Sequence, residues 1–319
     1  MRLEPVTVED ARRARERIAG GALRTPLVRL NADGGSGELY LKLECLQPIG
    51  SFKVRGAGNA LLSARTEELA RGVYTASAGN MAQGLAFWAR RLGVPCTALV
   101  PDNAPETKLM AIARLGALSV KVPYAEWWQT IVEHGHPSQE GRFVHPVSDP
   151  AVMAGNATIA LEIMEDLPDV DAVVVPYGGG GLSCGIASVM RALRPQARVY
   201  ACEVETAAPL QASLRAGEPR AIEHRPSFVD GIGGRSVLEE MWPLARTLLA
   251  GSLVVSLTEI AAAIRLLAER NRVVAEGAGA ASVAAALKGL NDARTVVCVV
   301  SGGNIDSARL ARILQGEVP

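Results

Sequence analysis

The 319-residue sequence predicts an α/β fold of two open, twisted, mostly parallel sheets flanked by helices. Short Val- and Ala-rich runs alternate with helical stretches of about ten to fifteen residues, the pattern of βα units. Hydrophobic residues make up 49% of the chain and aromatics only 4%, so the apolar load is Ala, Val and Leu, which suits strands buried on both faces. Three of the runs end in glycine-rich or amide-bearing turns, where open parallel sheets bind ligands.

In chain order, Thr7 or Asp10 caps a helix to about Ile18, closed by Gly20-Gly21. Arg24 to Leu27 is an extended lead-in, Gly34-Gly35-Ser36-Gly37 a turn, and Leu39 to Leu43 alternates like a strand. Ser51 is placed to cap a helix running to about Arg65. Strands follow at 73–77, 96–100, 118–122 and 142–145, with helices at 80–92, 104–115 and 126–133 between them. This block can close a sheet of its own. Helices at 152–166, 182–193 and 207–216 then alternate with strands at 171–176, 198–203 and 254–256. Thr258 caps a helix to about Arg270, and the helix 278–287 precedes a last strand, 295–300. The expected organisation is a large domain of 1–67 with 148–319 and a small mobile domain of 68–147.

Lys+Arg and Asp+Glu number 33 each, a balance that argues against nucleic-acid or anionic-membrane partners. No run of about twenty apolar residues predicts a membrane span, and Met1 to Pro5 lacks a secretory apolar core. The five scattered cysteines contain no CxxC and read as buried hydrophobes of a cytoplasmic protein.

The strongest single signal is Gly178-Gly179-Gly180-Gly181, between a buried strand and a helix. Four residues without side chains present backbone N–H groups at a helix N-terminus, a cradle for a phosphate. It lacks the Lys-Ser/Thr of a P-loop, and Ser183 stands where a dinucleotide fingerprint needs its third glycine. Lys53 lies in Pro48-Ile49-Gly50-Ser51-Phe52-Lys53, and Ser77-Ala78-Gly79-Asn80 and Ser301-Gly302-Gly303-Asn304 close two other strands. A phosphate cradle, a lysine and two polar turns add up to a phosphorylated aldehyde held on an amine, with pyridoxal phosphate the obvious case.

With these motifs in this order, and with Ala104 to Lys108, Thr158 to Glu162 and Glu276 to Gly279, the chain resembles the fold-type II pyridoxal-phosphate enzymes (tryptophan synthase β-like) over nearly its whole length. Within them it resembles the serine/threonine dehydratase (threonine ammonia-lyase) and serine racemase group. The resemblance implies that Lys53 bears the Schiff base and carries the Cα proton, and that Phe52 lies beside the ring. Asn80 would bond the phenolic oxygen, Gly178 to Gly181 with Leu182 would hold the phosphate, and Ser301 would face the pyridine nitrogen. Ser77, Ala78, Gly79, Asn80 and Met81 would form the substrate-carboxylate side. A divalent-cation site would use Glu203 and the Ala207 carbonyl, with Pro209 where a further carboxylate is expected. A homodimer is expected from the resemblance alone.

Two departures narrow the reading. Racemases of the group carry a serine as second proton donor where this chain has Ala78, and racemisation needs a proton carrier on each face. Met81 replaces the usual histidine of the dehydratases, leaving a less polar wall. The expected activity is therefore elimination of water from a β-hydroxy amino acid such as L-threonine or L-serine, giving a 2-oxo acid and ammonia. An amino-acid racemase, or a non-catalytic phosphate-ligand binding protein, is the alternative. The chain stops about where the catalytic unit would, so no regulatory C-terminal domain is expected.

Other features read as structural. His134, His136 and His145 suggest solvated surface, without Cys or paired Glu nearby. Trp127-Trp128 with Tyr124 suggests a packed domain surface or lid, and Cys184 suggests packing. Arg12, Arg13 and Arg17, interleaved with Glu9, Asp10 and Glu16, form a charged helix face.

Overall fold

The computed structural model describes residues 3–32, 37–290 and 293–319. The expected turn at Gly34-Gly35-Ser36 lies outside these residues. The first helix, α1 (Val8–Ile18), is capped by Thr7 in a reciprocal box with Asp10. Two short strands, β1 (Leu27–Arg29) and β2 (Glu38–Lys42), follow; a 3₁₀ turn at Glu44–Leu46 then leads to α2 (Lys53–Leu62) and α3 (Thr66–Leu69). The next block runs β3 (Val73–Ala76), α4 (Asn80–Leu92), β4 (Cys96–Pro101), α5 (Glu106–Arg114), β5 (Leu118–Val122), α6 (Tyr124–Val132) and β6 (Arg142–Phe143). Then come α7 (Pro150–Asp166), β7 (Ala172–Pro176), α8 (Gly181–Leu193), β8 (Arg198–Val204), α9 (Pro209–Ala216), α10 (Trp242–Leu248) and β9 (Gly251–Val255). The chain closes with α11 (Leu257–Leu266), α12 (Gly277–Leu287), β10 (Thr295–Val299) and α13 (Ser307–Leu314).

Two sheets result, as the alternation predicts. One has six strands in the order β1-β2-β10-β7-β8-β9 and the other four, β5-β4-β3-β6. Every pairing is parallel except β1 with β2. β7 is buried at every position and β10 at all but its first, with α7 and α8 on one face and α12 on the other.

Several local expectations are corrected. α2 starts at Lys53 with Phe52 at the N-cap, not Ser51, and ends at Leu62 rather than Arg65. Ser51 is instead drawn into an antiparallel bridge with Gly302. The cap of α11 is Ser256, whose Oγ accepts from Glu259 N while Glu259 answers from its carboxylate; Thr258 lies inside the helix. That helix ends at Leu266 and passes into a π turn, Leu267–Asn271. α5 and α9 begin at Glu106 and Pro209, about two residues later than expected.

Beneath α2 lies a buried ionic network. The Arg55 guanidinium is 2% exposed and donates to both Glu44 oxygens at 2.8 Å. It also donates to both Glu162 oxygens at 2.6 and 2.9 Å, and to Thr158 Oγ1 at 3.0 Å. Lys42 Nζ completes the set, 2.6 Å from Glu162 and bonded to the Thr25 carbonyl. Two cations and two carboxylates cancel. Burial alone would raise the Glu44 carboxyl, but the Arg55 charge and hydrogen bonds overcome it and hold the carboxyl below its usual range. Removing one member leaves a buried charge uncompensated. Arg55→Met should therefore destabilise the fold by about 3–5 kcal/mol, read as a lowered urea midpoint.

Candidate active site

Lys53 opens α2 with its side chain directed into the cleft between the sheets. Its Nζ donates to the Pro146 carbonyl at 2.6 Å and lies 5.2 Å from the Phe52 ring centroid. The side chain stays partly open to the cleft while its amine end is enclosed by protein. Burial pushes its pKa down to about 8. At neutral pH about a tenth of such an amine is uncharged, against well under a hundredth for an ordinary lysine.

Opposite stands the tetraglycine turn, between the end of β7 and the first turn of α8. The amides of Gly179, Gly180, Gly181 and Leu182 have no acceptor among the described residues. Such orphan N–H groups at a helix N-terminus attract an anion. The turn has no room for side chains on its packed side. A Cβ on Gly179 would come within 2.6 Å of Val147 Cγ2, and one on Gly181 within 2.4 Å of the Val147 carbonyl oxygen. Gly180 adopts φ +100°, a left-handed conformation that favours glycine. The residues present fit a phosphate group.

The third turn follows β3. Ser77, Ala78 and Gly79 lead into α4, where Asn80 and Met81 occupy the first helical positions. Ser77 Oγ accepts from Gly79 N at 3.2 Å. Asn80 Nδ2 donates to Glu276 Oε1, and its Oδ1 accepts from Asn304 Nδ2, both at 2.8 Å. The loop after β10 is laced to the segment before Lys53: Phe52 N donates to the Ser301 carbonyl, Gly303 N to Gly50 O and Asn304 Nδ2 to Ile49 O. Lys53 and the three turns meet in one cavity of about 570 Å³, lined by Phe52, Lys53, residues 77–81, 178–182 and Ser301.

Among the further lining residues given no role from the sequence are Glu276, Asp230, Lys108 and Val147. Glu276 belongs to a motif noted in the sequence, yet nothing local shows that its carboxyl meets Asn80. Burial, then the nearby Asp230 charge, raises its pKa to about 7 against the hydrogen bond from Asn80. Lys108 Nζ pairs with Asp230 at 3.0 Å across the cleft.

Glu203 and Ala207 lie apart from this cavity. Glu203 is fully buried, and its two oxygens accept from Leu210 N, Gln211 N (both 2.8 Å) and Ser252 Oγ (2.6 Å). The carboxylate caps α9 and is engaged by these donors through both oxygens.

The histidine reading is corrected. His145 is 2% exposed; its Nδ1 accepts from Ser148 N at 2.8 Å, its Nε2 faces the Ile131 carbonyl, and burial pushes its pKa down to about 3. It stacks on His134, whose Nε2 lies 3.3 Å from Glu240. His134, His145 and Glu240 each bring one ligand atom within 4.8 Å of the others, so the three together form a cluster of metal-ligand type. Trp127 and Trp128 are half-buried in the cavity wall. Cys184 is fully buried with its thiol pushed up to about 12, as its packing role requires.

Comparison with known proteins gives this geometry a context. Residues 18–302 match the family described as pyridoxal-phosphate dependent enzyme. The chain is 40% identical over 315 residues to L-threonine ammonia-lyase of Thermotoga maritima, covering 97% of this chain and 78% of that one. It is 38% identical over 317 residues to catabolic L-threonine dehydratase TdcB of Escherichia coli, covering 97% and 96%. Among solved structures, serine racemase from Dictyostelium discoideum superposes with a TM-score of 0.86 at 34% identity, covering 94% of this chain and 99% of that one. The processed form of threonine deaminase isoform 2 from Solanum lycopersicum gives 0.83 at 28% identity, covering 99% and 96%. These matches bear out the resemblance carried by the motifs.

Two outcomes are expected. Gly181→Ala should weaken retention of pyridoxal phosphate at least about tenfold, because its Cβ meets backbone that cannot yield; equilibrium dialysis of the apo-protein measures this. The neutral amine is the reactive form of Lys53, so the rate of binding the aldehyde, followed by the visible absorption band, should climb as pH rises through about 8 and then level.

Proposed function

This chain belongs to the pyridoxal-phosphate dependent enzyme family, and from that premise we propose that it is an ammonia-lyase. It removes water from a β-hydroxy amino acid, L-threonine or L-serine, and yields a 2-oxo acid and ammonia. The observation that carries this reading is one amine of lowered pKa facing a phosphate-sized cradle, with Ala78 in place of a second proton carrier. The names of the most similar relatives point the same way.

Pyridoxal phosphate, when bound, supplies the electron sink for charge left at Cα. This chain's residues do the rest. Lys53 holds the cofactor and takes the Cα proton. The amides of Gly179 to Leu182, with Gly178, hold the phosphate. Phe52 would flank the ring, and Asn80, positioned by Glu276 and Asn304, would face its phenolic oxygen. Ser77 and the amides of Ala78, Gly79, Asn80 and Met81 hold the substrate carboxylate. Ser301 would meet the ring nitrogen with a hydroxyl, which could not enforce its protonation as a carboxylate would. That weaker sink suits prompt loss of a β-substituent.

Residues 68–147 serve as a small domain that closes over the substrate, against a large domain of 1–67 with 148–319. The support is four side-chain links across the cleft: Asn80–Glu276, Asn80–Asn304, Lys108–Asp230 and His134–Glu240. A divalent cation at Glu203 and the Ala207 carbonyl forms no part of the proposal, since both Glu203 oxygens are engaged in capping α9 and in the bond from Ser252. A cytoplasmic homodimer does form part of it, supported by the family resemblance, and sedimentation would read the oligomeric state. No helix among the described residues is long and apolar enough to cross a membrane.

Holoenzyme incubated with L-threonine should release 2-oxobutyrate. Accumulation of D-threonine or D-serine without oxo acid would overturn the lyase reading in favour of a racemase. Lys53→Ala should lose the visible band and lower turnover on the order of 10³-fold or more; retention of both would remove Lys53 from its role.

A further inference from the structure

Glu276 stands immediately before α12, 8% exposed, and lines the cavity that holds Lys53. Its Oε1 accepts from Asn80 Nδ2 at 2.8 Å, and its carboxyl also accepts from the Asn304 backbone amide. The seat has room only because a glycine faces it: a Cβ on Gly302 would come within 2.4 Å of Oε1. Both donors are neutral. The other lining carboxylate, Asp230, is answered by Lys108 Nζ at 3.0 Å and Arg309 Nη1 at 3.4 Å. Glu276 has no such cation among the described residues. A buried carboxylate without a counter-charge is costly, and whatever fills the cavity can supply one.

The Asn80 amide links that charge to the cofactor. Its Oδ1 accepts from Asn304 Nδ2 and one Nδ2 hydrogen goes to Glu276, so the amide is held at both ends. The second Nδ2 hydrogen has no acceptor among the described residues, and Asn80 lines the same cavity as Lys53. In pyridoxal phosphate the phenolic oxygen is ortho to the aldehyde carbon. Joining the neutral Lys53 amine to that carbon expels one water, and the joined nitrogen becomes cationic by taking up one proton. A substrate amine attacks that protonated form. Loss of the proton leaves the phenolic negative charge uncompensated, which a nearby carboxylate opposes. The other titratable groups around Glu276 do not supply this charge: Asp230 is paired, and the Cys45 thiol, pushed up to about 12 mainly by burial, stays neutral.

Resting on the lyase reading above and its roles for Lys53 and Asn80, we infer that Glu276 is a positioning residue whose carboxylate, acting through Asn80, is the counter-charge that keeps the cofactor-joined Lys53 nitrogen protonated. The two charges support each other. The cation on Lys53 draws Glu276 into its ionised form, and the ionised Glu276 holds the proton on Lys53.

The test follows the visible band of the holoenzyme without substrate from about pH 6 to about pH 10. Glu276→Gln keeps the shape and an acceptor for Asn80 but removes the charge. The pH at which the band records loss of the proton should fall by about one unit or more against the unsubstituted protein. Release of 2-oxobutyrate from L-threonine should fall about tenfold on the alkaline side of its pH profile and stay within about threefold on the acid side. A role confined to holding the amide would leave the band's pH response where it is. If the glutamine variant fails to fold, Glu276→Asp and Glu276→Asn repeat the comparison at equal length, the asparagine variant responding about one unit lower. The same pH response with charged and neutral side chains at 276 overturns the inference, whatever the activity. A shifted response with no oxo acid from the unsubstituted holoenzyme upholds it and overturns the lyase reading instead.

Discussion

Arg55 holds the site in place from below. Its guanidinium binds Glu44 before α2 and Glu162 on α7, while Lys42 on β2 closes the charge balance. Lys53 and Arg55 are two residues apart on one helix, roughly opposite in direction. Arg55 is locked inward by five hydrogen bonds to carboxylates and a hydroxyl, so Lys53 must face the cleft. The role proposed for the Lys53 amine needs a partly dry surrounding that lets it lose its proton. The ionic network supplies a rigid floor for that surrounding without placing a charge in the cleft.

Close backbone approach does the remaining positioning. A Cβ on Gly155 of α7 would come within 2.4 Å of the Arg55 carbonyl oxygen, and one on Gly84 of α4 within 2.9 Å of the Lys53 carbonyl oxygen. α2 is therefore gripped on two sides by helices that touch it through glycine. Trp88 Nε1 adds a hydrogen bond from α4 to the Val54 carbonyl at 2.8 Å. The tetraglycine turn obeys the same rule, since Gly179 and Gly181 sit against Val147 with no space for a side chain.

Much of this was legible in the chain. Val173 to Val175 and Val296 to Val299 are buried on both faces, and continuous apolar runs announce that. Four successive glycines after a strand announce the tight turn into α8 that leaves no room for side chains. Lys53 stood out only in company with them. What stayed hidden depends on distance along the chain. Arg55 meets Glu162 across 107 residues and Asn80 meets Glu276 across 196, and no local pattern encodes either contact. His145, at the end of an expected strand, was grouped with His134 and His136 as solvated surface, yet its ring is buried because the chain folds back onto α6. The cap of α11 fell to Ser256 rather than Thr258, because the reciprocal bond with Glu259 needs a spacing of three that Ser256 satisfies.

The packing of α2 has a mechanical consequence. Val54, Ala57, Ala60 and Leu61 share one core with Leu85 and Ala89 of α4 and with Ala98 and Val100 of β4. The same helix is held by α7 through Arg55 and Gly56 on its other side. A hinge motion that preserved both contacts would have to pivot around α2 as an axle. Points on an axle travel least, so the roof over the substrate could swing while the Lys53 amine kept its address.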